Sequence, residues 1–151
     1  MPIPAGFVAN QNGQYTRGDG SGPWSFDGTT MVYGGEGPVT SFSSGNVANA
    51  TAAATIPAVA GRLTYLTGLE VTGAGATAGS VVLLTVTGIQ GGTATYAIAV
   101  PTGATVGLTP LTISFACPVP ASAVNTAIVV SLPALGAGNT NACVVARGFS
   151  L

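Results

Sequence analysis

The sequence predicts an all-β protein: an antiparallel β-sandwich, with jelly-roll topology expected, carrying an extended N-terminal arm. Three observations lead there. Over most of the second half of the chain, apolar residues alternate with Thr, Ser and Gly, the period of two that a strand with one buried face requires. Helix formers such as Glu, Lys and Gln are scarce, and Lys is absent altogether from the 151 residues. The 23 Gly and 10 Pro cut the periodic segments into short pieces, a spacing that favours a sandwich or barrel over α/β architecture.

Composition divides the chain into residues 1–45, an N-terminal arm, and residues 46–151, the sandwich domain. The arm is dense in Gly, Pro, Asn, Gln and Ser, yet Phe7, Tyr15, Trp24, Phe26, Tyr33 and Phe42 are spaced through it. Flexible linkers are poor in aromatics, so these rings are expected to be ordered on a partner surface or on the chain's own domain. Tyr15, Trp24, Phe26 and Tyr33 are the partner-binding candidates, because interface hot spots favour large aromatics and adaptable Gly and Ser backbone surrounds these. The competing reading has the same rings covering an open face of the sandwich.

Residues 46–60 are rich in Ala and Thr, and Pro57 together with the β-branched Val47, Thr51, Thr55, Ile56 and Val59 favours extended structure. Leu63, Tyr65, Leu69 and Val71 then share one parity and Arg62, Thr64, Glu70 and Thr72 the other, which predicts a strand with the first set inward. Val81–Thr87 and Thr93–Val100 form a hairpin about Gly91-Gly92, residues that accept the positive φ of tight turns. Leu111–Cys117 is a strand stopped by Pro118 and Pro120. Ile128–Leu132 follows, then a loop from Pro133 to Asn141, then a last strand from Ala142 to about Ser150. Cys117 and Cys143 are expected as two buried thiols. Arg147 shares a parity with Cys143, Val145, Phe149 and Leu151, so either a guanidinium lies on an apolar face or a bulge or exposed strand end shifts the phase. If it is buried, Glu70 is the partner expected for it, since an unpaired core charge costs several kcal/mol, roughly.

No residue between Glu70 and Arg147 carries a charge, and charged residues make up 5% of the chain, against about 25% in ordinary globular proteins. Such a surface must be solvated by hydroxyls and backbone or covered by neighbouring subunits. With a net charge of −1 and three Arg, the chain lacks the basic footprint of a nucleic-acid binder. No apolar run is long enough for a transmembrane helix, so no membrane partner is expected. The first residues lack the basic and apolar segments of a secretory signal, which makes synthesis in a cytoplasm the expectation.

Catalysis is not expected either. Without His or Lys the familiar nucleophile–base pairs cannot be assembled, which leaves Asp19, Asp27, Glu36 and Glu70 as the carboxylates. Three of these lie in the Gly-rich arm, a poor scaffold for the fixed geometry of paired carboxyls. Neither the two distant cysteines nor the Asp19-Gly20-Ser21-Gly22 turn has metal-ligand spacing. No cofactor or metal is called for. Arg17-Gly18-Asp19 spells an integrin tripeptide, but a three-residue match in a Gly-rich loop arises readily by chance.

The runs Ile56-Pro57-Ala58-Val59-Ala60-Gly61-Arg62-Leu63-Thr64-Tyr65-Leu66-Thr67-Gly68-Leu69-Glu70-Val71-Thr72-Gly73, Ala99-Val100-Pro101-Thr102-Gly103-Ala104 and Gly136-Ala137-Gly138-Asn139-Thr140-Asn141-Ala142 resemble small structural proteins of tailed bacteriophages. The resemblance covers roughly residues 56–151 and implies a compact sandwich on the outside of a head or tail. It makes a capsid decoration, or cement, protein the leading expectation: a homo-oligomer, with trimers favoured, made in the host cytoplasm and seated on the outer capsid surface of the virion, where it bridges subunits of the major capsid protein. The alternatives are a receptor-binding module of a tail or head fibre that takes host glycan, and a non-viral adhesin or carbohydrate-binding domain.

Overall fold

The computed structural model describes residues 7–9, 15–17, 23–26, 31–33, 39–136 and 139–151. Every regular element among them is a strand, and the chain divides into two compact units, with the break between Val39 and Thr40. The first unit holds β1 (Phe7–Ala9), β2 (Tyr15–Arg17), β3 (Pro23–Phe26) and β4 (Met31–Tyr33). These pair antiparallel in sequence order. The segment expected as an extended arm is therefore a small four-stranded meander.

The second unit is an antiparallel sandwich of eight strands in two sheets. They are β5 (Thr40–Ser43), β6 (Ala52–Ile56), β7 (Thr64–Ala74), β8 (Ser80–Ile89), β9 (Gly92–Val100), β10 (Leu111–Pro120), β11 (Ile128–Leu132) and β12 (Asn141–Ser150). One sheet has the order β10-β7-β12-β5 and the other β6-β11-β8-β9. Pairing is nested: β5 with β12, β6 with β11, β7 with β10 and β8 with β9. Because β5 is hydrogen-bonded to β12, the sandwich unit starts at Thr40, ahead of the compositional break at 45/46.

Between the sheets lie Ile56, Leu66, Leu69, Val71, Leu84, Val86, Ile128, Val130, Leu132 and Val144, all essentially inaccessible to water. Each such side chain contributes about 1.5–3 kcal/mol of transfer free energy, so this interior is the main force holding the two sheets together. The alternation is cleanest on β6 and β11, whose residues are buried at every second position. The hairpin expected about Gly91-Gly92 is present, with Ile89 opposite Gly92 and positive φ at both glycines.

Two facing assignments need correction, and bulges or residue size explain both. On β7 the inward set is Thr64 and Leu66, then Leu69 and Val71. The phase changes because Gly68 faces Arg147 while Leu66 faces Gly148, which leaves Thr67 as the extra residue of a bulge. Thr67 Oγ1 donates to the Arg147 carbonyl at 3.0 Å across that irregularity. On β12 the core-facing residues are Ala142, Val144, Ala146 and Gly148, smaller on average than the alternating set of Cys143, Val145, Arg147 and Phe149. The larger set lies outward, where Phe149 is covered by Tyr65, with ring centroids 5.0 Å apart and planes inclined by 17°. Small residues can occupy the inner positions of this central strand because Ile56 reaches across to Gly148.

The thiols follow from the same corrections. Cys143 is half-buried on the outer face, and Cys117 is exposed. In β10 the register on β7 is interrupted between Ser114 and Val119, and Cys117 falls in that interruption instead of continuing the inward series of Leu111, Ile113 and Phe115. Neither thiol forms a disulfide, and the Cys143 thiol lies 3.6 Å from the Ser43 hydroxyl. Treating the native protein with a maleimide should therefore label Cys117 at nearly the rate of a free thiol, and Cys143 more slowly; equal protection of both would show that β10 keeps a regular ladder.

The side chain of Asn139 is fully buried with neither amide atom bonded, a burden of about 1–3 kcal/mol. Nothing in the structure accounts for it.

Candidate functional site

Of the four candidate aromatics, Tyr15 lies on β2, Trp24 and Phe26 on β3, and Tyr33 on β4. The backbone register sets Tyr15 directly opposite Trp24, and Trp24 directly opposite Tyr33. Phe26, two residues from Trp24 and opposite Met31, occupies the same parity of the pleat. On β1, Ala9 is opposite Tyr15 and Phe7 opposite Arg17, so Phe7 joins the same set. Residues directly opposite one another in a ladder occupy one face of the sheet. All five aromatic positions of β1–β4 thus belong to one face, and Val8, Thr16, Pro23, Ser25 and Val32 to the other. Strands of three or four residues are too short to show this period in the sequence; only the pairing brings the positions together. Gly18, Asp19, Asp27 and Glu36 lie outside the described residues, as do Gly20 to Gly22.

The two outer faces of the sandwich differ in chemistry. On the β10-β7-β12-β5 sheet, Ser41, Ser43, Glu70, Thr72, Thr112, Ser114 and Arg147 face outward. Arg147 Nη2 lies 2.9 Å from Glu70 Oε1. This pair sits in the middle of the sheet on neighbouring strands, one step off direct register, since Glu70 is opposite Val145 and Arg147 opposite Gly68. Its side chains are 41% and 35% exposed, so water screens it and its worth is at most about 1 kcal/mol. Glu70→Gln is expected to cost no more than that in a urea titration, and the loss should vanish in high salt.

The outer face of the β6-β11-β8-β9 sheet carries no charge. Thr85, Thr87, Thr93, Thr95 and Ser131 supply hydroxyls, while Val81 and Leu83 remain 67% and 51% exposed, opposite Ala99 and Ala97. β-branched and small residues suit a pleated surface, and threonine hydroxyls keep it wettable without ions. At one end of the other sheet, Asn46 Nδ2 donates to Asn141 Oδ1 at 3.0 Å, and Asn141 Nδ2 to Thr140 Oγ1 at 2.9 Å. These side chains satisfy one another and tie the segment after β5 to the start of β12.

Comparison with protein-family models, with curated proteins and with solved structures gives no match. Geometry and chemistry alone bear on function. They offer five aromatic positions on one face of the N-terminal sheet and a charge-free outer face on one sheet of the sandwich.

Proposed function

We propose that this chain is a capsid decoration protein, whose sandwich sits on the outside of a phage head and whose N-terminal unit attaches it to major capsid subunits. The observation that carries the reading is the pairing of five aromatic positions on one face of the N-terminal sheet with a sandwich almost free of charge. Large aromatics dominate the free energy of protein interfaces, and interface cores are depleted in charge. The nested strand pairing is the one a jelly roll would have, a fold that recurs in viral shells, and the resemblance to phage structural proteins read in the sequence of residues 56–151 favours the same setting.

The work of such a protein is mechanical. A surface that spans neighbouring shell subunits only in the expanded head adds binding free energy to that state alone, so it shifts the equilibrium towards it. No reacting group is needed, and the chemistry available to Glu70 and Arg147 is taken up by their mutual ion pair.

Incubating the purified protein with undecorated heads and, separately, with host cells separates this function from glycan reception by a fibre. Saturable binding to heads without binding to cells is the expected outcome. Binding to cells that free sugar displaces would replace the proposal with the receptor reading.

A further inference from the structure

Four strands form the edges of the sandwich, and three are blunted. β5 and β6 are only four and five residues long, and β6 runs into Pro57. β10 carries Pro118 and Pro120 and an interrupted register. β9 differs from all of them. It is nine residues long, Gly92–Val100, and contains neither proline nor charge. From Val86–Ala94 to Ser80–Val100 its ladder on β8 runs without a break, and it has no other strand neighbour. Natural sheets blunt their edges with prolines, bulges, charge or brevity, because a regular free edge presents unpaired N–H and C=O groups to any other strand. An open groove of about 510 Å³ runs beside it, lined by Thr95 to Ala99 of β9 on one side and by Thr109, Pro110 and Leu111, where the chain enters β10, on the other, and no described residue outside β8 makes a ladder with β9.

We propose that the free edge of β9 pairs antiparallel with β9 of a second copy of this chain, about a two-fold axis at Ala97. Symmetry and charge select that occupant. Two-fold pairing sets a strand against itself, so a charged residue near the axis would meet its own sign. β9 has no charge, and the outward residues of β8 beside it have none either. An axis at Ala97 places Tyr96 opposite the partner subunit's Ile98, an aromatic–β-branched pair of the kind that stabilises antiparallel ladders. Thr95 then meets the partner subunit's Ala99. The result is one continuous sheet across two sandwiches, in place of the trimer that the likeness to phage proteins suggests.

Sedimentation equilibrium of the full chain tests this without any shell, so its outcome is independent of the decoration reading. A monomer–dimer equilibrium is expected. Ala97→Lys should raise the dimer dissociation constant at least roughly tenfold, because it brings two ammonium groups together at the axis. Mixing Ala97→Lys with Ala97→Glu should restore association as a heterodimer, and Thr55→Lys, on the opposite edge, should leave the equilibrium unchanged. Circular dichroism checks that each variant keeps its strand spectrum, and Thr95→Lys replaces Ala97→Lys if the latter fails to fold. A chain that stays monomeric at every concentration would overturn the proposal, as would an oligomer indifferent to both lysine variants or a charge-swapped mixture that does not associate.

Discussion

Gly148→Val is expected to lower the stability of the sandwich by about 3 kcal/mol or more, the largest effect of any single substitution considered for the core. Gly148 is buried in β12, and a Cβ built on it overlaps the carbonyl oxygen of Tyr65 and runs into Ile56 Cδ1. The first obstacle is backbone of the neighbouring strand, which cannot rotate away as a side chain can. The second is the tip of a fully buried side chain of the core. Relief would require β7 and β12 to separate next to the Thr67 bulge, breaking ladder bonds in the centre of the sheet. For a domain of this size the loss corresponds to a fall in melting temperature of roughly 10–20 °C. A variant that melts with the native protein would show that the β7–β12 register beyond the bulge is wrong.

The second large effect separates folding from attachment. Removing residues 1–39 takes away the first compact unit and leaves every strand of the sandwich. The truncated protein should keep its strand spectrum and melt within a few degrees of the full chain, yet lose its binding to heads. Removing residues 1–45 is a different experiment, because it also strips β5 from β12 and withdraws Phe42 from the margin of the core. That protein should be measurably less stable and prone to self-association through the exposed edge of β12. Within the intact chain, Trp24→Ala should weaken binding to heads by roughly 2 kcal/mol or more, the cost of losing a central aromatic anchor. If the shorter truncation instead melts early and aggregates, the aromatic face serves to cover the sandwich; if it stays fully bound to heads, the anchor assignment fails.

The sequence made the class of fold legible, and nearly every sandwich strand, because alternation persists wherever one face is buried and Gly and Pro mark the turns. β6 and β11 are buried at every second position, although Ala52-Ala53-Ala54-Thr55-Ile56 is legible as extended only from its β-branched residues and Pro57, and Ile128-Val129-Val130-Ser131-Leu132 only from the apolar parity of Ile128, Val130 and Leu132. Phase was harder to read. On β7 the Thr67 bulge exchanges the inward and outward sets halfway along the strand, and nothing in Leu66-Thr67-Gly68-Leu69 identifies which residue is extra. On β12 hydrophobicity pointed outward, since Val145 and Phe149 are larger than the Ala142, Ala146 and Gly148 that face the core; the space available between the sheets decided, and that is a property of the assembled fold. The same limit governed Cys117, which falls in an irregular stretch of an edge strand. Within the N-terminal unit, the aromatics could be singled out by composition, but their common face depends on pairing between segments far too short to declare it. The sequence matches Glu70 to Arg147 as the carboxylate a buried guanidinium would need; the pair forms, but on the sheet surface, with the Arg147 and Glu70 side chains 41% and 35% exposed, a setting that could not be read from either residue's own strand.

Co-sedimentation of the full-length protein with undecorated heads in their unexpanded and expanded forms tests the central claim most directly. The decoration account predicts saturable binding to expanded heads, a fixed number of copies per shell, and little binding to unexpanded ones, with a rise in the temperature at which decorated heads break apart. Equal binding to both forms with no gain in shell stability, or no binding to either, would contradict it.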